Sequence, residues 1–238
     1  MNEKSTLKVE SLFRRYYLER GDELEPVGGV VGREFAFTTF KGGVMVRHIS
    51  FSSRDELREY VQFNAPSNAF YSTAFYENPA ADDMKAKGWL KSELVFDVDA
   101  DHLETPCKKD HDAWTCKSCG LSGRGLPPSR CPSCGSKGFE KKTWLCERCL
   151  EEAKAHVTRL VEDFLMGDLG VSKGEIKVVF SGHRGYHVHV CKEEFMRLDQ
   201  KARREIVDYI KGEGLILNID ILRRGLPGPS LGDPGWLG

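Results

Sequence analysis

Apolar residues recur at helical spacing over residues 7–20 (LKVESLFRRYYLER), and Gly21 stands where a helix should stop. A glycine-rich stretch (GGVVG, 28–32) leads into REFAFTTF (33–40) and GGVMVRHISF (42–51), which alternate or run apolar like paired strands. Ser52 or Ser53 is expected to cap a second helix, because Glu56 follows three residues after Ser53 in capping-box register. Residues 64–80, aromatic and turn-rich, predict one strand bounded by Pro66 and Pro79, and ELVFDVDAD (93–101) predicts another. Over 102–149 the periodicity disappears. It returns as a helix from Glu151 (EEAKAHVTRLVEDFLMGDLG) that ends near Gly167 or Gly170, then as strands EIKVVFSG (175–182) and YHVHVCK (186–192), and as a helix over 198–211. The tail, 226–238, is rich in Pro and Gly and carries no period.

Strands alternating with helices around an acidic strand predict an α/β (α+β) fold, with central mixed or antiparallel sheets flanked by helices and a small inserted module. The expected organisation is a first half over 1–101, the insertion over 102–150 and a second half over 151–238. The composition, 40% hydrophobic and 30% charged in 238 residues, is that of a globular chain and argues against disorder or fibrous repeats. Lys+Arg (35) nearly balances Asp+Glu (36), so a nucleic-acid partner must be met by a local basic patch. The N-terminal MNEKSTLKVESLFRR has no apolar core of a secretory signal, and Leu215–Ile219 is too short to cross a bilayer. A cytoplasmic protein with no membrane partner is expected.

Seven of the eight cysteines lie between Cys107 and Cys149, six of them as three C-x-x-C pairs. Without a signal peptide this spacing reads as metal binding rather than as a disulfide framework. With His111, the candidates Cys107, Cys116, Cys119, Cys131, Cys134, Cys146 and Cys149 make eight ligands, enough for two tetrahedral structural Zn²⁺ sites. In CKSCG and CPSCG a glycine follows the second cysteine, where a knuckle turning N–H groups toward thiolates favours positive φ. CERCL lacks that glycine and runs into a helix. The preferred pairing is therefore nested: Cys116, Cys119, Cys131 and Cys134 as a zinc ribbon, with Cys107, His111, Cys146 and Cys149 closing its base. A competing pairing joins the second C-x-x-C to the third and the first to Cys107 and His111. Basic residues outnumber acidic ones across the insertion, so its tip is either a phosphate contact or a solvated surface. Cys191 reads as a small buried hydrophobe.

On the strand ELVFDVDAD, alternation puts Asp97 and Asp99 on one face. Two carboxylates so close repel unless a divalent cation lies between them, and oxygen-only ligands favour Mg²⁺ or Mn²⁺. Asp101 is placed just past the strand end. In SGHRGYHVHV, Ser181, Gly182, Arg184 and Gly185 form a tight turn suited to an anion, with His187 and His189 on one face of the next strand. A plain hairpin with two partly buried histidines is the alternative.

REFAF (33–37), FDVDAD (96–101), WLCERCLEEAK (144–154) and SGHRGYHVHV (181–190), in this order, resemble the catalytic small subunit of the archaeo-eukaryotic DNA primases, over roughly residues 10–211. The resemblance implies a primase-type catalytic fold. It implies that Asp97 and Asp99 bind the catalytic metals, that Ser181, Arg184 and His187 contact the incoming triphosphate, and that Arg33 lies near the active centre. It also implies a zinc site built from a Cys/His pair after the aspartates and a C-x-x-C entering a helix. The family's third metal-binding carboxylate and a basic nucleotide-gripping motif lie further downstream than these motifs. Asp220 (LNID) is the nearby candidate, and the chain is expected to be an N-terminal portion or a shortened catalytic subunit. The implied function is template-directed primer synthesis in DNA replication at the nucleoid, with Mg²⁺ or Mn²⁺, nucleoside triphosphates, a single-stranded DNA template and a primase large subunit as partners. The alternatives are an inactive zinc-ribbon nucleic-acid-binding or docking fragment, and a related primase-polymerase of repair.

Overall fold

The helical period at the N-terminus is realised as α1 (Glu3–Arg20), and Gly21 opens a single 3₁₀ turn, Gly21–Glu23. These and all further contacts come from a computed structural model of the chain, which describes residues 3–40 and 42–213. Asp220 and the tail over 226–238 lie outside the described residues. The chain divides into two compact units, one of residues 1–94 with 190–203 and one of 95–189 with 204–238.

In the first unit, β1 (Phe35–Thr38) pairs antiparallel with β2 (Met45–Ile49), and the period of two along β1 buries Phe35 and Phe37. The next helix, α2 (Arg54–Asn64), is capped by Ser53, whose Oγ accepts the Glu56 N–H at 3.2 Å. The returning half of the capping box lands one residue earlier than the motif suggests: the Glu56 carboxylate accepts from the Ser52 N–H and Oγ at 2.7 and 2.6 Å. That pair of bonds holds the Glu56 carboxyl below its usual range. Tyr17 of α1, Phe35, Phe37, Phe51, Leu57 and Val61 form one core, with Phe37 and Tyr60 rings 4.6 Å apart and Phe35 and Phe51 rings 5.0 Å apart.

The single strand expected over 64–80 is two strands, β3 (Asn68–Tyr71) and β4 (Ala74–Tyr76), in different sheets. The break falls at Ser72, whose hydroxyl donates to the Ala74 carbonyl at 2.7 Å and accepts the Glu34 N–H at 3.1 Å, turning the chain from β1 toward a new partner. After the one-turn α3 (Met84–Lys87), β5 (Trp89–Ser92) pairs antiparallel with β4. Arg33, just before β1, points inward with 0% exposure. Its guanidinium donates to the carbonyls of Gly29, Val27 and Ser72 and pairs with the equally buried Glu93.

The boundary falls after the first residue of the acidic strand, β6 (Leu94–Asp99), the rest of which opens the second unit. The insertion follows: α4 (Lys108–His111) and a three-stranded antiparallel sheet of β7 (Ala113–Cys116), β8 (Ser122–Arg124) and β9 (Phe139–Lys142), with β7 in the middle. The following helix, α5 (Glu147–Arg159), starts four residues before the sequence expectation, with Cys146 at its N-cap. Its continuation, Leu160–Asp168, is π-helical rather than α-helical, and the Leu169 N–H closes on the Phe164 carbonyl at 2.9 Å. The last sheet places β11 (Gly185–Val190) between β10 (Ile176–Phe180) and β6. The short α6 (Glu193–Met196) and α7 (Gln200–Lys211) complete the described chain, a mixed α/β arrangement with antiparallel sheets. Cys191 is half-buried rather than buried, lying just past the end of β11.

Candidate active site

Because β11 hydrogen-bonds beside β6, the turn that precedes β11 closes over the acidic end of β6. Gly185 makes this approach possible. A Cβ there would stand 2.1 Å from the Val98 carbonyl oxygen and 2.7 Å from Asp99 Oδ1. Backbone cannot yield as a flexible side chain does, so Gly185→Ala must separate the two strands. A loss of about 1–3 kcal/mol or more in unfolding free energy is expected, checked by denaturant titration. Ser181 shapes the same turn: its N–H donates to the Gly185 carbonyl at 2.8 Å, and its Oγ accepts the N–H groups of Arg184 and Gly185 at 3.3 and 3.0 Å. The Ala100 N–H donates to the Arg184 carbonyl at 2.8 Å, which ties the turn to the residue after Asp99.

Arg184 Nε lies 3.1 Å from Asp99 Oδ2, and its Nη1 donates to Asp101 Oδ2 at 2.9 Å. His187 Nε2 lies 3.5 Å from Asp97 Oδ1, so the two strands meet acid to base along one face. His189 is buried behind His187, with ring centroids 6.3 Å apart. The oxygens that converge most closely belong to Asp99 and Asp101, which with His102 bring metal-ligating atoms within 4.8 Å of one another. Asp97 stands outside that group. Its two-residue offset along an extended strand, about 6.7 Å, makes it bracket the cluster from the exposed side. Sequence reasoning undervalued Asp101, whose position past the strand end turns it back toward Arg184.

The fit of this site to a divalent cation rests on one atom above all. Asp101 Oδ1 is buried and has no hydrogen-bond partner among the described residues, and His102 Nε2 at 3.9 Å is beyond hydrogen-bond range. A buried, unpaired carboxylate oxygen is costly unless a cation satisfies it. Three carboxylates against a single guanidinium supply the matching excess of negative charge.

Within the insertion and the start of α5, the thiols and His111 gather into two groups of four. Cys107, His111, Cys146 and Cys149 form one, and Cys116, Cys119, Cys131 and Cys134 the other, each with its ligand atoms within 4.8 Å. None of the cysteines is in a disulfide. Sulfur–sulfur separations of 3.4 Å (Cys107–Cys149), 3.8 Å (Cys146–Cys149) and 3.6 Å (Cys116–Cys134 and Cys119–Cys131) approach the edge of about 3.8 Å that a tetrahedron with ~2.3 Å metal–sulfur bonds requires. Gly120 and Gly135 take φ of 75° and 70°, and each returns its N–H to the carbonyl of the first cysteine of its knuckle at 2.9 Å.

The thiols are chemically unlike. The Cys119 N–H, aided by that of Ser118, holds the Cys116 thiol down to about 6. In Cys134 the Ser136 N–H lowers the value, but the neighbouring cysteines and burial together drive it to about 12. Burial raises Cys149, yet the Thr105 hydroxyl and the Cys146 N–H bring it to about 7. One thiolate is favoured in each group, Cys149 and Cys116, whereas the Cys107 and Cys134 thiols are pushed up and need a cation to ionise. His111 Nε2 approaches Cys149 Sγ at 3.3 Å, while its Nδ1 meets the buried Asp112 Oδ1 at 2.8 Å; that carboxylate also accepts the Trp144 N–H at 3.2 Å. Asp112 thus fixes the ring so that Nε2 faces the thiols, a role the sequence signals only by the His-Asp dipeptide. The outer group also braces the acidic strand. Ala100 packs with Cys107, Cys149 and Ala153, and Lys108 Nζ donates to the carbonyls of Asp101 (2.7 Å) and Leu103.

Residues 132–223 match the family model described as DNA primase small subunit. Among curated relatives, each named DNA primase small subunit PriS, the chain is 37% identical over 216 residues to that of Cenarchaeum symbiosum, covering 91% of this chain and 56% of the relative. It is 41% identical over 206 residues to that of Pyrobaculum calidifontis (87% and 54%) and 37% identical over 240 residues to that of Saccharolobus solfataricus (100% and 66%). The chain spans between about half and two thirds of the length of these relatives. With FDVDAD and SGHRGYHVHV folded against each other within that match, the chain belongs to the DNA primase small-subunit family.

Proposed function

We propose that this chain carries the nucleotidyl-transfer centre of a DNA primase, in which a 3′-hydroxyl attacks the α-phosphorus of a nucleoside triphosphate on a single-stranded template and pyrophosphate leaves. The observation that carries this reading is the contact of Arg184 with Asp99 and Asp101, which joins the anion-binding turn to the acidic strand. Asp97, Asp99 and Asp101 are the residues that would hold Mg²⁺ or Mn²⁺, which supplies acidification of the attacking hydroxyl and neutralisation of the leaving phosphates. Arg184 uses Nε and Nη1 on the carboxylates, and Nη2, on a side chain 47% exposed, is left to fork onto a phosphate oxygen. The Ser181 hydroxyl accepts from the turn and keeps its own proton to donate. His187, half-exposed beside Asp97, completes the donors for the triphosphate. Arg33 is left out of this set because its donors are taken up by three carbonyls and Glu93.

Two structural Zn²⁺ ions, one in each Cys/His group, fit the donor sets and sulfur spacings. The name of the relatives as small subunits supports a large subunit as partner. No helix among the described residues is long and apolar enough to cross a membrane. The reading is tested by titrating a nucleoside triphosphate into the chain with and without Mn²⁺. Binding should require the metal, and Arg184→Ala should weaken it roughly 10- to 100-fold, the effect of losing a charged hydrogen bond. Metal-independent binding, or an unchanged affinity in the variant, would contradict it.

A further inference from the structure

Six cations on the ribbon have no partner among the described residues. Lys117, Arg124, Arg130, Lys137, Lys141 and Lys142 are all exposed, and among the described residues none of their side chains makes a hydrogen bond or ion pair. Elsewhere Arg33, Lys87, Lys91 and Arg184 are each paired with carboxylates. From Ala113 to Lys142 the sole acidic residue is Glu140. Six positive charges, set against Glu140 and the net two negative charges of a four-thiolate zinc site, leave an excess of about three on one small module. The chain as a whole carries a formal charge of −1, so the excess is local.

Two of these six charges, on Arg124 and Lys142, lie on one open face of the sheet, whereas Lys141 stands opposite Trp114 and belongs to the other face. Arg124 and Lys142 both stand opposite Ala113, one on each side, so they share a face with about 10 Å between their strands. The next row on that face is Ser122, Thr115 and Glu140: the side chains on β8 and β7 are small, and the one carboxylate, Glu140, stands on β9 two residues before Lys142, so Arg124 is the cation farther from it. The other face is closed by Trp114, 8% exposed, which lies over Gly123 and meets Phe139 edge-on at 5.2 Å. A protein partner needs an apolar or aromatic anchor at the centre of its contact, and Ala113, Thr115 and Ser122 supply none. A phosphate chain needs only spaced, unpaired cations.

We propose that the open face of the β8–β7–β9 sheet binds the phosphate backbone of a single-stranded nucleic acid, without base preference. The choice of polymer rests on the nucleotidyl-transfer reading above. The test is the anisotropy of a labelled mixed-sequence single-stranded oligonucleotide over a range of salt concentrations, with the full chain and with Arg124→Gln/Lys142→Gln. The double variant should bind roughly 5- to 30-fold more weakly at low salt and lose about 1.4 from the slope of log K against log salt, ~0.7 for each phosphate contact. A control variant, Lys85→Gln/Lys173→Gln, removes two exposed charges elsewhere and should keep the wild-type slope. An unchanged slope in the first variant, or an equal loss in the control, overturns the proposal; the former leaves an acidic protein as the partner for this face. Metal-dependent triphosphate binding, read on the same proteins, should be equal in wild type and the ribbon variant. Its absence from wild type would count against the nucleotidyl-transfer reading while leaving the oligonucleotide comparison intact.

Discussion

Asn in place of Asp99 is expected to reduce primer synthesis by on the order of 10³-fold or more, with the fold and metal content of the insertion retained. Asp99 is the residue on which the site converges, since its carboxylate reaches both the Asp101 cluster and Arg184. Neutralising it removes a cation ligand and the Nε contact of Arg184, leaving Arg184 on Asp101 alone, so both the cation that would neutralise the triphosphate and the aim of the guanidinium toward it are impaired. Asp97→Asn should have a comparable effect on transfer with a smaller effect on the turn, because Asp97 contacts His187 at 3.5 Å and does not touch Arg184. The comparison is made with a primer-extension assay beside circular dichroism. Activity in Asp99→Asn within tenfold of wild type would remove the aspartates from the chemistry.

Stripping the metal from the outer Cys/His group should have the largest effect on stability, and Cys149→Ser should reproduce it. A structural zinc site contributes on the order of 10 kcal/mol of apparent binding free energy at neutral pH, comparable with the whole ~5–15 kcal/mol by which a domain is stable. Even a loss of about 4 kcal/mol lowers the melting temperature by roughly 10 °C in a chain of this size. The damage should spread to the active site, because Ala100 packs on Cys107 and Cys149 and Lys108 ties α4 to the Asp101 carbonyl. Acid should act in the same direction. The folded Cys149 and Cys116 thiols lie at about 7 and about 6, below the ordinary 9.0, so the stability they confer is complete above the ordinary value and is lost as pH falls through about 7 and then about 6. Calorimetry with and without chelator, at pH 8 and pH 5.5, checks both arms. A melting temperature indifferent to chelator would contradict a structural metal.

The parts of this fold that show in the sequence are those where one local rule decides. The period of α1, the alternation of Phe35 and Phe37 on β1 and the Ser53 cap follow from short-range chemistry, as do the glycines at 120 and 135. The nested division of the thiols follows from the same glycines, since a knuckle and a helix N-cap impose different backbones on C-x-x-C. What did not show depends on contacts distant in sequence. The break at Ser72 is decided by a bond to Glu34, 38 residues away, and the π-helical turns after Arg159 have no local signature. The inward turn of Arg33 is likewise set by a distant partner, Glu93, 60 residues on. Asp101 and Asp112 each look like one more surface carboxylate until Arg184 and His111 are brought beside them.

The central claim is that the acidic strand and the Ser/Arg/His turn hold one metal-bound triphosphate together. It is tested most directly by a double-variant cycle on Mn²⁺-dependent triphosphate binding with Asp99→Asn, Arg184→Ala and the pair. If both residues grip the same bound species, the double variant should bind no more than a few-fold more weakly than the worse single variant, a strongly non-additive result. Losses that simply add would mean that the two groups act at separate places, and the account of this site would be wrong.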